Sequence, residues 1–317
     1  MLDLITVGDA SIDTFCLLDH EEADVLCDLD QTKCRLSLDY ADKIPLKGMD
    51  SSVGGNAANV AVGAARLGLS ASMVSTIGVD EPSRKVIHTL EQENVDLNNL
   101  RREGKTNQSV ALIYQGERTL LVRHEPREYH FNITVPVKWL YLTSMAREGE
   151  KITASVIKFV KDNNTKLIFA PGTLQLRLGT ERFKDLLNET DIIILNRSEA
   201  ITYTGSSAQT EIPKLLESLV ELGPEMAIIT DGENGSFGYD GDQLYRCSIA
   251  PARKVESTGA GDGYASGLIA GLVHGHNIET AMRWGSANSA SVIQHIGAQK
   301  GLLTLPQISQ LLENKAP

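Results

Sequence analysis

The residues of this chain best suited to chemistry stand in VESTGAGDGYASGLIAGL, positions 255–272. Gly259, Gly261 and Gly263 leave backbone N–H groups unshielded, and an apolar helix pattern opens directly behind them. Bare amides at the positive end of a helix dipole form a site for an anion. Asp262 lies inside that run. A carboxylate beside an anion cradle can accept a proton from a hydroxyl while the amides hold the charge on a phosphoryl group. Taken alone, the same run serves equally well as helix punctuation, with Asp262 stabilising the helix end by a few tenths of a kcal/mol.

Other stretches carry complementary chemistry. In SVGGNAANVAVGAARLG (52–68), Gly54 and Gly55 permit close backbone approach, and Asn56 and Asn59 both donate and accept, as binding a polyol requires. An Asn-capped helix start would need only one such residue. GDASID (8–13) ends a strand pattern with Asp9 and Asp13, suited to gripping vicinal hydroxyls. ILNRSEA (194–200) ends another with Asn196 and Glu199, and TDGENG (230–235) a third with turn residues. Each also reads as strand-to-helix punctuation.

The elements that must position these residues alternate. LITVG (4–8), ASMVSTIG (71–78), WLYLTS (139–144), KLIFAP (166–171), DIIILN (191–196) and MAIIT (226–230) are short, nearly continuous apolar runs. Helical patterns separate them, among them 56–68 and 82–95. Strands buried on both faces and divided by helices imply an α/β protein with a mostly parallel sheet covered on both sides. In that architecture the C-terminal strand ends face the ligand crevice, which would gather the five stretches along one edge. The acid-rich segment 14–48 breaks the alternation. It reads as a small antiparallel strand set that, with a hairpin over 109–125, forms a lid.

The chain has 317 residues and a formal net charge of −11. Such a charge disfavours nucleic acid and anionic membranes as partners, and an anionic ligand would need local offsetting charge. Cys16, Cys27, Cys34 and Cys247 match no zinc spacing. No secretory leader or membrane-length apolar run is legible. Reduced thiols in a cytoplasmic protein are the expectation.

GGNAANVAVGAARLG and STGAGDGYASGLIAGL, with NRSE between them, resemble the paired motifs of the ribokinase family, the PfkB-type carbohydrate kinases. The resemblance spans almost the whole chain, and GxxxxGK[ST] of P-loop kinases is absent. It implies one kinase domain over 1–317 with a three-layer ribokinase-like fold and a small β-sheet lid from about 14–50 and 108–126. It further implies ATP- and Mg²⁺-dependent phosphorylation of a hydroxymethyl group. Asp262 matches the catalytic base, and the amides of Thr258, Gly259, Ala260 and Gly261 match the anion hole. Asp13, Gly55, Asn56 and Asn59 match substrate positions. Asn196 and Glu199 match the N-x-x-E motif that organises Mg²⁺ and phosphates. Thr230, Gly232 and Gly235 fall in the nucleotide region, and Asn288 where an adenine-pocket residue is expected. The family commonly opens this motif with an Asp that helps hold an activating cation, where this chain has Ser257. That serine argues against K⁺ activation, although GAQKG (297–301) resembles the other half of such a site.

Specificity in this family lies in the lid. Arg123, His124, Arg127 and Arg147 could meet a substrate carboxylate or phosphate, with Arg123 taken as the substrate contact. Phe15, Tyr40 and Tyr114 could stack a base. The reading is therefore a small-sugar kinase of ribokinase, fructokinase or keto-deoxy sugar type. A nucleoside kinase is the alternative, and a silent metabolite-binding member a third. Exposed lid edges suggest a homodimer through the lid.

Overall fold

The computed structural model describes residues 1–28, 34–146 and 148–313. In chain order come β1 (Leu2–Val7), β2 (Ser11–Leu18), β3 (Asp24–Cys27), β4 (Cys34–Ser37), β5 (Leu46–Gly54), α1 (Asn56–Arg66), β6 (Ala71–Ile77) and α2 (Glu81–Gln92). Then follow β7 (Leu100–Arg102), β8 (Asn107–Tyr114), β9 (Glu117–Arg123), β10 (Val137–Leu142), α3 (Thr153–Asn163), β11 (Lys166–Phe169), α4 (Thr173–Leu178) and α5 (Lys184–Leu187). The remainder is β12 (Ile192–Asn196), α6 (Arg197–Thr204), α7 (Ile212–Glu221), β13 (Met226–Thr230), β14 (Ser236–Tyr239), β15 (Leu244–Cys247), α8 (Ala260–Val273), α9 (Ile278–Val292) and α10 (Leu305–Glu313).

Among the described residues the central sheet has nine strands in the order β15-β14-β13-β12-β11-β10-β1-β6-β7. From β13 through β7 all neighbours pair in parallel. The continuous apolar runs have their cause here, since β6 is buried at every position and both faces of the sheet are covered. One face packs Ile5, Leu140 and Ile193 against Phe159, Leu187 and Leu219 of α3, α5 and α7. The opposite face packs Leu4, Ile168 and Ile228 against Val60, Leu268 and Trp284 of α1, α8 and α9. Three layers result, and β1, β12 and β13 deliver Asp9, Asn196 and Thr230 to their C-terminal ends. The antiparallel pair β14 and β15 at one edge has alternating burial, which the parallel-sheet pattern did not anticipate.

The lid is a second sheet in the order β5-β2-β8-β9. It is mixed rather than wholly antiparallel, because β2 and β8 run parallel while β5 and β9 pair antiparallel at its edges. Phe15, Ala111 and Ile113 form its small core on the face turned to the main body. The β3–β4 hairpin pairs with itself and packs through Leu36 against Leu18 and Tyr114. Reduced cysteines are corrected in part: Cys27 and Cys34 lie opposite each other in this hairpin and form a disulfide. Cys16 and Cys247 are free and buried. Among the described residues no helix is long and apolar enough to cross a membrane.

Candidate active site

Asp262 sits in the first turn of α8, 6% exposed. The turn can close only on glycine: Gly259 has φ 78°, and a Cβ there would lie 2.4 Å from that of Ala298. The amides expected to form an anion hole divide into two groups. Thr258 N donates to Glu256 Oε1 at 2.6 Å and Ala260 N to Ser257 O at 3.3 Å, so both are taken within the loop. Gly259 and Gly261 N–H have no protein acceptor among the described residues, and the Gly261 Cα faces open space. The cradle is therefore narrower than the run Thr258–Gly261 suggested.

Burial pushes the Asp262 carboxyl up to about 6, against the opposing hydrogen bonds of Asn59 and Asn56 and with a smaller push from Asp13 and Glu199. Asn59 Nδ2 donates to Asp262 Oδ2 at 2.8 Å, and its Oδ1 accepts from Gln299 Nε2 at 3.0 Å. Both ends of Asn59 are occupied and the residue is buried. Asn59 therefore orients the Asp262 carboxylate, and its amide is engaged within the protein rather than turned to the cavity as a substrate position would require. Gln299, not anticipated from the sequence, fixes which way the Asn59 amide points.

Asp13 faces the core from β2. Ser11 Oγ and Ser109 Oγ both donate to its Oδ1, at 2.9 and 2.7 Å. Oδ2 lies where a Gly54 Cβ would come within 1.8 Å, so a bare Gly54 makes room for this carboxylate. Burial raises the Asp13 carboxyl, opposed by the serines and Arg118. The hydroxyl of Ser52, its cross-strand partner, is buried without a hydrogen-bond partner. Gly55 reaches φ 91° against the Asp9 carbonyl and starts α1, whose first residue, Asn56, lines the cavity holding Asp262. The neighbouring Asp9 accepts from Tyr129 OH at 2.5 Å, and its second oxygen stands 3.3 Å from His124 Nδ1.

That cavity, about 210 Å³, is lined by Asn56, Thr143, Gly172, Asn196, Glu199, Thr230, Gly261 and Asp262 among others. Asn196 and Glu199 form a capping box on α6: Asn196 Oδ1 accepts from Glu199 N, and Glu199 Oε2 from Asn196 N, each at 2.9 Å. Glu199 Oε1 has no hydrogen bond among the described residues. Burial raises its carboxyl, against both Asn196 contacts. A partly buried carboxylate with a free oxygen beside a phosphate cradle fits a Mg²⁺ carried in with phosphates, an ion that keeps several waters and needs only one or two protein carboxylates. Among the described residues no cluster of three or more acidic, His or Cys groups forms a protein-only metal site.

Several expected residues lie elsewhere. Asn288 is fully buried, donating to Gly263 O and Ser266 Oγ and accepting from Leu303 N. It ties α8 to α9 and does not line the cavity that holds Asp262. Gly235 is glycine because a Cβ would lie 2.2 Å from the Cys247 carbonyl, while Gly232 occupies an open turn at φ 51°. Arg123 pairs with Glu125 at 2.8 Å. Its cross-strand partner is Gln108, one position from Asp13-bound Ser109, so alternation puts it on the outer face, opposite the one that carries Asp13. Arg127 is buried with its guanidinium on the carbonyls of Thr76 and Lys105 and on Asn107. Arg147 lies outside the described residues. A further cavity of about 570 Å³, marked by none of the motifs, lies between the 248–251 loop and α9, lined by Ser248, Pro251, Ala287 and Ala290. Its signal was the small-residue face in SANSAS (286–291).

The acid expected at Ser257 is present one residue earlier. Glu256 is 1% exposed and accepts from Thr258 N, Thr258 Oγ1 and Gly297 N.

A buried carboxylate beside free backbone amides, at the strand ends of a three-layer α/β fold, is an arrangement suited to phosphoryl transfer to an alcohol. The family model of the pfkB family carbohydrate kinase matches residues 24–305, and the chain belongs to that family. It is 28% identical over 285 residues to the 5-dehydro-2-deoxygluconokinase of Bacillus subtilis strain 168, covering 82% of this chain and 86% of that protein. It superposes on Arabidopsis thaliana ribokinase complexed with ribose and ATP with a TM-score of 0.79, 22% identity and coverage of 98% and 99%. The nucleoside kinase of Methanocaldococcus jannaschii gives a TM-score of 0.77 at 19% identity, with 99% of each chain covered.

Proposed function

We propose that this protein transfers the γ-phosphoryl group of ATP to the hydroxymethyl group of a small sugar of the keto-deoxy sugar acid type, with Mg²⁺. The observation that carries the transfer is the buried Asp262 carboxylate, held by Asn59 and flanked by the free amides of Gly259 and Gly261. Asp13, Ser52 and Asn56 offer the sugar hydroxyls acceptors and donors on the facing side. The acceptor oxygen forms a bond to the γ-phosphorus, the β–γ bridging bond breaks, ADP leaves, and the hydroxyl proton passes to Asp262. Gly259 and Gly261 N–H stabilise charge on the transferred group as it moves. Glu199, together with the phosphates, would hold Mg²⁺, which would supply positive charge that this acidic chain lacks. The cavity between 248–251 and α9 suits the nucleotide base.

The keto-deoxy sugar class is supported by the kinases of that name among the relatives. A nucleoside acceptor finds less support, because Phe15 and Tyr114 are buried in lid clusters and Tyr40 is fully exposed. The retained base and acid speak against a silent binding protein. We read the enzyme as needing no K⁺, since the Glu256 carboxylate already faces the Arg118 guanidinium. Pairing of two lids across a homodimer completes the reading.

The deciding experiment is an assay of phosphoryl-donor consumption with pentoses, hexoses, keto-deoxy sugar acids and nucleosides, each with ATP or ADP and Mg²⁺. Turnover with ATP and a keto-deoxy sugar acid is expected. A response to nucleosides alone would overturn the acceptor class, and a response only with ADP the donor.

A further inference from the structure

Arg118 is the second residue of β9, directly after the hairpin tip of the lid. It lies opposite Ile113, on the face that carries Asp13, Phe15 and Ser109, and its guanidinium crosses from lid to core. One nitrogen, NH1, donates to Glu256 Oε1 at 3.2 Å and to Ser257 Oγ at 2.7 Å. Beside it, Lys254 Nζ pairs with Glu117 at 2.8 Å. The lid tip thus grips the extended segment leading into the Gly-rich loop at two points.

The grip matters because of what Glu256 holds. Its carboxylate accepts from Thr258 N and Oγ1 and reaches the Gly297 amide, which fixes the bend leading into Gly259. A carboxylate this buried is costly without a positive partner, and among the described residues Arg118 is the cation paired with it. Opening of the lid would withdraw that cation. The carboxylate would then gain by turning toward water, freeing Thr258 N and the turn behind it.

We propose that Arg118 is a positioning residue that couples lid closure over the sugar to the geometry of the phosphate-binding amides, acting through Glu256. Its guanidinium is engaged by Glu256 and Ser257, so the role assigned to it runs through Glu256 and not through contact with substrate or the reacting atoms. The inference rests on reading Gly259 and Gly261 as the phosphate cradle.

The test combines Arg118→Ala, Arg118→Lys and Arg118→Ala/Glu256→Gln with an activity-independent measurement. In Arg118→Ala, kcat should fall about 10- to 100-fold, the size expected when a cradle shifts by an ångström, with both KM values within about threefold. Added guanidinium should restore part of the loss in this variant and leave the native protein unchanged. Arg118→Lys should retain most of kcat. The double variant should lose less than Arg118→Ala, because a neutral carboxamide no longer needs a counter-charge. Hydrogen exchange across 256–263 in the unliganded protein should quicken in Arg118→Ala and return toward native rates in Arg118→Lys. The coupling is overturned if kcat and exchange are unchanged in Arg118→Ala. It is equally overturned if the loss appears only in KM, or resists guanidinium, lysine and Glu256→Gln alike. Should the native protein phosphorylate no sugar, the kinase reading fails by itself, while exchange still decides whether Arg118 orders the loop.

Discussion

Asp262 has been given two opposing environments, and the balance between them sets how it works. Burial raises its carboxyl to about 6, while Asn59 and Asn56 favour the charged form. At neutral pH the group is mostly ionised and close enough to ambient pH to accept a proton. We expect kcat/KM to fall below about pH 6 with a single protonation, and Asp262→Asn to lower kcat by at least about 10²-fold while sugar binding persists. Near-native turnover in that variant would remove Asp262 from the mechanism. The raised value also has a stability sign. Between pH 4 and 6 the folded protein holds a proton that the unfolded chain has released, so this group's contribution falls as pH rises through that window and then levels off above it. Asp262→Asn should therefore gain about 1 kcal/mol relative to native between pH 5 and pH 7, read by chemical denaturation at both values. A pH-independent difference would show that burial does not set the titration. Asn59 yields a sharper contrast. Asn59→Asp would place a second carboxylate against the base, so the acid limb should move to higher pH, with the sugar KM changed far less than kcat. A KM effect alone would return Asn59 to the substrate.

At the scale of elements, the strand ends gather what the sequence dispersed. β1, β12 and β13 were legible because buried parallel strands are continuous apolar runs, and the turns after them carry the polar residues. The Gly-rich junction before α8 was legible for the same reason. Hydrogen-bond direction was not. Thr258 and Ala260 amides turn inward because Glu256 and Ser257 accept them, and no local pattern shows that. Asn288 has the right type, yet its side chain turns to α8, while its neighbours Ala287 and Ala290 line the cavity. Arg123 has the right charge, but one step of strand parity puts it outside. Gln299 and Arg118 act across 240 and 138 positions of sequence, beyond any periodicity. α6 shows how a structural device and a functional one share residues. Its capping box accounts for the N-x-x-E spacing without any ligand, and the remaining Glu199 oxygen is what a ligand could use. Asn196→Ala should cost about 1 kcal/mol of stability through loss of the cap and raise the Mg²⁺ needed for half-maximal rate. Glu199→Gln keeps an acceptor for the Asn196 amide, so stability should hold within about 0.5 kcal/mol while the Mg²⁺ requirement rises. Equal Mg²⁺ dependence in all three proteins would leave the motif with capping alone.

For the whole molecule, the lid has two faces with different duties. The inner face, with Asp13, Phe15 and Arg118, is engaged with the core. On the outer face, Met49 and Leu121 are 72% and 56% exposed, next to half-buried Val110 and Leu112. Their registers agree: Met49 opposes Cys16, Leu112 lies beside Cys16, and Leu121 opposes Val110. The β3–β4 hairpin covers only the end of this face near Leu18 and Tyr114. Fully burying a side chain such as Met49 or Leu121 is worth about 1.5–3 kcal/mol, so a second lid laid across the patch has a clear driving force. Such a contact would also brace the hairpin that carries Arg118. Light scattering at micromolar concentration should give the mass of two chains. The double substitution Met49→Asp and Leu121→Asp should halve that mass, and loosening of the lid should raise the sugar KM more than the ATP KM. A native protein that is monomeric at that concentration, or a double variant that stays dimeric, would place the association surface elsewhere and leave the lid to close on its own.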